Sequence, residues 1–286
     1  MTTLRLQYPL AILCRALNVS RSGYHAWRTR RPSMRTQENA RLEVAIQAAH
    51  RRSRQTYGPE RLQAELCEDG FRAGIGRIKR LRKKLGLRCK QVRRFRTTTE
   101  SHHALPVAAN ILAQTFVATR PNQTWVTDIT YVPTAEGWLY LAGIKDLFTC
   151  EVVGHAMDAR MTTDLVWAAL MKAITSRRPP PGLLHHSDRG VQYCAQDYQA
   201  RLKHLGLQAS MSRRGNCYDN APMESFWGTL KNELVHHRRY ETRAEARREI
   251  AEYIEVFYNR QRRHSRLGNL SPVVFAQQWA RQHPAV

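Results

Sequence analysis

The 286-residue chain is predicted to fold as a strongly basic all-α region followed by an α/β domain on a mixed five-stranded sheet. Two patterns predict the sheet. Residues 125–157 hold three runs rich in β-branched and aromatic side chains, divided by turn residues, the pattern of an antiparallel meander. After residue 164, apolar stripes at helical spacing alternate with short apolar runs, which adds further strands with helices packed on them. A third observation predicts the basic part. Residues 1–100 carry 24 Lys and Arg against 7 Asp and Glu, while residues 101–286 carry 22 against 16. Such an excess, set inside helix-like patterns, points to a polyanion partner, above all nucleic acid; the bland alternative is a solubilising surface.

Composition sets the outer limits. The length suits two domains with room for a small third module, and a 42% hydrophobic fraction supports real cores. No run of eighteen apolar residues is present, so no membrane partner is expected. The first residues lack the apolar stretch of a signal peptide, and a cytoplasmic, nucleoid-associated protein is expected. Cys14, Cys67, Cys89, Cys150, Cys194 and Cys217 are scattered without a Cys-x-x-Cys pair, which argues against disulfides and zinc knuckles and for reduced, partly buried thiols.

Residues 9–28 read as an apolar helix ending near Leu17, a turn at Asn18-Val19, and a basic helix that Ser20 can cap and Arg21 opens. That is the helix-turn-helix plan, although an ordinary packed pair would look similar. A further helix is expected around Leu42 to Ala49, and another from Pro59 through Leu62 and Leu66. Ile75, Ile78, Leu81 and Leu85 then mark a last helix, stopped at Gly86, whose other faces carry Arg77, Lys79, Arg80, Arg82, Lys83 and Lys84. This density of cations suits DNA phosphates better than a merely solvated face. Between residues 97 and 122 periodicity fades and a linker is expected, with Ile111-Leu112 and Phe116-Val117 able to dock locally.

Beyond it, strands are expected at 125–133, 138–144 and 151–157, a helix at 164–176, a strand at 183–186, a helix at 194–206 and a strand at 207–212. A helix from Pro222 and a longer one over 243–263 complete an RNase H-like plan. The divisions expected are a helix-turn-helix-like segment (1–40), a basic helical DNA-binding domain (41–98), a linker (99–120) and the α/β domain with C-terminal helices (121–286).

Three acids stand out, and two of them, Asp128 and Asp188, lie where folding disfavours a carboxylate. Asp128 lies in mid-strand, Asp188 closes an apolar strand, and Glu224 falls in the first turn of a helix that Asp219 or Asn220 can cap. Met223, Trp227, Leu230 and Leu234 form that helix's buried stripe, leaving Glu224, Gly228 and Lys231 on another face. Hard oxygen donors without a His/Cys cluster suit magnesium, with manganese able to substitute. Paired ions so held would support in-line displacement at phosphorus. The pairs His102-His103, His185-His186 and His236-His237 lack zinc-ligand spacing, and His186 reads as a strand or supporting residue.

Three blocks carry a resemblance: WVTDITY at 125–131, HSDRGVQY at 186–193 and SRRGNCYDNAPMESF at 212–226. Together they closely resemble the DDE transposases of bacterial insertion sequences, in particular the insertion-sequence-three family, whose catalytic domain is related to retroviral integrases. Residues 57–87 resemble that family's helix-turn-helix region, and FYNRQRRHSRL at 257–267 with Ser271-Pro272 resembles its C-terminal end. The resemblance spans roughly residues 40–280.

It implies that Asp128, Asp188 and Glu224 form the catalytic, metal-holding triad, with the family's interval of 35 residues between the last two. Lys231 matches a position linked to DNA-end binding, and Arg189, Arg213 and Arg214 flank the site as further candidate DNA contacts. The implied partners are terminal inverted repeats and target DNA, with a homo-oligomer for synapsis. The implied reaction is strand cleavage followed by strand transfer, by a copy-out route through a circle. The integrases' His-His-Cys-Cys zinc module and the long heptad zipper of the family's upstream product find no counterpart. The chain therefore reads as the second-frame product, with the upstream-frame product as a possible partner. Other readings of the same residues are a nuclease without strand transfer, a DNA-binding regulator, and an integrase domesticated for another task.

Overall fold

The computed structural model describes residues 3–90, 106–214 and 216–284. His102-His103, residues 91–98 of the expected helical domain, residues 99–105 of the expected linker, Gly215 and the side chain of Cys217 lie outside the described residues.

The N-terminal pair consists of α1 (Leu10–Ala16) and α2 (Arg21–Thr29). Asn18 takes the left-handed turn at φ 51°, and the Ser20 hydroxyl accepts from Gly23 N–H at 2.9 Å, as the sequence leads one to expect. Next come α3 (Met34–Arg52), α4 (Pro59–Glu68) and α5 (Ile75–Lys84). Ser33 caps α3 by accepting from Thr36 N–H at 3.2 Å, so this helix crosses the division expected at residues 40/41. Leu42, Ile46, Ala49, Tyr57, Leu62, Leu66, Ile78 and Leu81 close a core among these three helices. Gly86, at φ 66°, ends α5, a conformation a β-carbon would disfavour.

The sheet is formed by β1 (Thr124–Thr134), β2 (Gly137–Asp146), β3 (Val152–Asp158), β4 (Leu184–Ser187) and β5 (Gln208–Met211), in the order β3-β2-β1-β4-β5. The first three strands are antiparallel, whereas β1–β4 and β4–β5 are parallel, which is the RNase H-like arrangement. The helix α6 (Thr163–Arg177) connects β3 to β4, and the expected single helix at 194–206 is two, α7 (Val191–Cys194) and α8 (Gln196–His204). Then follow α9 (Ala221–Glu233), α10 (Arg243–Glu252), a π-helical stretch (Tyr253–Gln261) and α11 (Pro272–Gln282). The long helix expected over 243–263 thus changes its winding at Tyr253, and α11 was not expected.

Alternation along β1 sends Trp125 to one face and Val126 to the other. Trp125, Ala142 and Ile144 pack on α6 and α8, while Val126, Val132 and Leu141 pack on α9 and the C-terminal helices. Each large apolar side chain so buried stabilises by roughly 1.5–3 kcal/mol. Residues 106–120 do not behave as a linker. Leu112 is buried in the second of these layers, and Ile111 N–H donates to Ser210 Oγ at 3.0 Å.

The α3–α5 unit is docked on the C-terminal part of the α/β domain. Arg263 N–H donates to Tyr57 Oη at 2.6 Å, and its guanidinium pairs with Glu65 at 2.6 Å and Glu68 at 2.5 Å. Arg54 stacks 4.4 Å over Phe257 and pairs with Glu252. Among the described residues no disulfide forms: Cys14, Cys150 and Cys194 are buried and Cys89 half-buried, but Cys67 is exposed, against expectation. No described helix is long and apolar enough to cross a membrane.

Candidate active site

Asp128 sits in the middle of β1, on the face that meets α9. Its two oxygens are held separately. Ile129 N–H donates to Oδ1 at 2.8 Å, and Trp227 Nε1–H donates to Oδ2 at 3.0 Å. Asp188 follows the last residue of β4, the strand parallel to β1, and its Oδ1 accepts from Gly190 N–H at 2.9 Å. Glu224 lies exposed in the first turn of α9, where a carboxylate complements the helix dipole.

The electrostatics join the three. Burial, then the charge of Asp188, push the Asp128 carboxyl well above the ordinary carboxylate range. The bonds from Ile129 and Trp227 oppose this, and Glu224 adds to it. Desolvation also raises Glu224. A buried acid raised by the charges of neighbouring carboxylates is poised to receive positive charge. Among the described residues no three Asp, Glu, His or Cys side chains already enclose a common point as metal ligands. The hard-oxygen donor set nonetheless fits a divalent cation, which would relieve the repulsion on Asp128.

Several residues that sequence reasoning missed hold these acids in place. Asn220 does not cap α9; its amide donates to Thr127 O at 3.0 Å, tying the start of the helix to the residue before Asp128. Buried Lys145 on β2 donates to Pro222 O at 3.2 Å, and burial depresses its pKa. Asp219, the other expected cap, instead accepts from Arg213, Asn110 and Gln114, and the Arg213 bond holds it well below the usual carboxylate range. Of the expected buried stripe, Met223, Trp227 and Leu230 are buried with Phe226, but Leu234 is only partly so. His186 is sandwiched between Ser210 and Ser212 hydroxyls at 2.9 and 3.2 Å, a supporting strand residue as expected.

The candidate DNA contacts divide. Lys231 stands 5.2 Å over the Tyr131 ring, with burial lowering its pKa and Asp128 opposing that. Arg213 is engaged by Asp219, and Arg189 donates to Ser212 O at 2.7 Å. Arg214 and Arg21 are exposed. On α5, Arg77 binds Asn39 and Glu38, Lys84 binds Glu43 and Arg82 binds Cys89, so those three are spent inside the helical unit. Lys79, Arg80 and Lys83 are exposed and, among the described residues, form no ion pair.

A mixed sheet with acids in β1, after β4 and on α9 defines the integrase-core class of polynucleotidyl transferases. Comparison with known proteins agrees. Residues 118–217 match the integrase core domain, residues 205–272 a second integrase core model, and residues 36–95 an HTH-like domain. The chain is 60% identical to an uncharacterized 31 kDa protein of insertion element IS600 from Shigella sonnei, over 93% of this chain and 98% of that one. It is 43% identical, over 94% of each, to the transposase InsF for insertion sequence IS3A of Escherichia coli K12. Among solved structures it is similar to the HTLV-2 integrase catalytic core domain in complex with magnesium, with a TM-score of 0.44, 16% identity, and coverage of 55% of this chain and 97% of that one. The chain belongs to the IS3 family of insertion-sequence transposases, enzymes that cut and join DNA strands.

Proposed function

We propose that Asp128, Asp188 and Glu224 are the catalytic residues and hold divalent metal, magnesium with manganese able to substitute. The observation that carries this is the buried Asp128 carboxyl on β1, held by Ile129 and Trp227 and bearing the charges of Asp188, just after β4, and of Glu224 on α9. Bound there, the metal would supply Lewis-acid activation of the attacking oxygen and charge stabilisation of the leaving one. In the first reaction water attacks a phosphodiester at the element's end; the P–O3′ bond breaks, leaving a 3′-hydroxyl and a 5′-phosphate. In the second that 3′-hydroxyl attacks a target phosphodiester, forming a new P–O bond as the target's own 3′-oxygen departs.

The helical units bind the terminal inverted repeats in this reading. Lys79, Arg80 and Lys83 contact phosphates, Arg21 serves the N-terminal pair, and Arg77 and Lys84 act by shaping α5. Lys231 reaches the DNA end beside Asp128, with Arg214 at the rim and Arg189 and Arg213 shaping the loop between β5 and α9. Two ends joined at once require a homo-oligomer, and the upstream-frame product is a further partner. The protein works in the cytoplasm on nucleoid DNA.

The test is cleavage and joining of labelled duplexes carrying the element's ends, with magnesium, for wild type and Glu224→Gln. Wild type should nick and join, and the variant should bind yet do neither. Cutting without end specificity or joining would establish the plain nuclease instead. Equal activity of the two proteins would remove Glu224 from the site.

A further inference from the structure

We infer that Trp227 is a positioning residue that presets the Asp128 carboxylate for metal and couples it to Glu224, through an opening left in β2 by Gly143. The inference rests on the reading of Asp128, Asp188 and Glu224 as the metal-holding acids.

Trp227 lies three residues after Glu224, so one helix carries both a proposed ligand and the donor that fixes another. Its Nε1–H meets Asp128 Oδ2 at 3.0 Å while Ile129 N–H takes Oδ1 at 2.8 Å. With one donor on each oxygen the carboxylate plane is set, and each oxygen keeps a lone pair for a cation. The indole reaches Asp128 because Gly143 stands directly opposite Asp128 in the β1–β2 register. A β-carbon on Gly143 would lie 2.7 Å from Trp227 Cη2, 3.1 Å from Cζ2 and 3.3 Å from Met223 Cε. Gly143 has no positive φ that would call for glycine on backbone grounds, so the space itself is what requires it. The glycine, the indole and the acid therefore form one device: close approach on β2, a ring from α9, and a fixed carboxylate on β1.

A purely structural role would be filled by any ring of this shape, because Trp227 is also buried in the layer with Met223, Phe226 and Leu230. The N–H is what separates the two. The decisive variant replaces Trp227 with β-(3-benzothienyl)alanine, which keeps the shape and substitutes sulfur for N–H. Manganese is titrated into the metal-free full chain, and the free ion is read by its paramagnetic resonance. The same titration is run on Gly143→Ala, Asp128→Asn and Glu224→Gln.

The benzothienyl variant should keep its thermal midpoint and its DNA affinity but bind manganese about tenfold more weakly, equivalent to about 1.4 kcal/mol. Its cleavage rate should recover as metal is raised. Gly143→Ala should weaken manganese binding likewise, by displacing the ring. Wild-type manganese affinity in the benzothienyl variant, with Asp128→Asn impaired, overturns the role of Trp227 while leaving the acids in place. Wild-type affinity in Asp128→Asn and Glu224→Gln overturns the reading of the acids, and this inference with it.

Discussion

Arg262→Met should be among the most damaging single changes outside the active site. Arg262 follows the π-helical stretch, and Glu233 is the last residue of α9. Their side chains are 6% and 9% exposed, and the guanidinium grips the carboxylate through two bonds, Nε to Oε2 at 2.8 Å and Nη2 to Oε1 at 2.7 Å. Tyr253 Oη–H adds a third bond to Oε2 at 2.7 Å. Methionine keeps the volume but leaves Glu233 as a desolvated charge with the tyrosine as its remaining donor. Removing one partner of such a buried pair costs about 3–5 kcal/mol, against a total stability of roughly 5–15 kcal/mol. At roughly 2–4 °C per kcal/mol, the thermal midpoint should fall by on the order of 10 °C. Urea unfolding followed by tryptophan fluorescence gives the free energy directly. Replacing both partners, Arg262→Met with Glu233→Met, should recover most of the loss, because the penalty lies in the orphaned charge. A single variant that loses under about 1 kcal/mol, or a double no better than the sum of its parts, would refute the reasoning.

Two further outcomes are expected from the same structure. Replacing Lys79, Arg80 and Lys83 together with alanine should flatten the dependence of DNA affinity on salt by about three in log–log slope, whereas Arg77→Ala and Lys84→Ala should mainly weaken the helical unit; an unchanged slope in the triple variant removes α5 from the DNA. His185, packed against Tyr198, has its pKa held down to about 4 by burial and then by His186, so the unfolded chain binds the extra proton as the pH falls from about 6.5 to 4. Stability should decline across that window by on the order of 3 kcal/mol, and His185→Gln should flatten the decline in unfolding midpoints measured from pH 7 to 4.5; identical profiles would sink the assignment.

What the sequence made legible was whatever is encoded locally. Ser20 before a basic helix, Gly86 after one, and acids set in apolar strands each announce themselves within a few residues, and the structure puts Asp128, Asp188 and Glu224 where their strands and helix were expected. The π-helical winding of Tyr253–Gln261 was not legible, since its aromatic residues fit an α-helical period well enough to suggest one continuous helix. The helix α11 did leave a signal, Ser271 ahead of Pro272 at its first turn. Residues 106–120 read as a linker because Pro106, Pro121 and weak periodicity are local. The bonds that fix them run to Ser210 and Asp219, about a hundred residues away. The fate of the α5 cations was hidden for the same reason: Glu38 and Glu43, which engage Arg77 and Lys84, belong to a different helix. The role of Trp227 needs three segments at once, and no single stretch of chain displays it.

The docking of the α3–α5 unit through Tyr57 and Arg263 makes the molecule a ruler. On the proposed reading, a duplex gripped along α5 cannot swing independently of the sheet that carries Asp128, because Arg263, whose N–H binds Tyr57, also clasps Glu65 and Glu68. The stretch of DNA between the gripped bases and the severed bond is then a dimension of the protein. One base pair added within that stretch turns the scissile phosphate by roughly a tenth of a helical turn and carries it away from the acids. If the helical unit and the three acids act as proposed, the element's ends should have to keep their internal spacing, and ends altered in length should be poor substrates even with every contacted base intact.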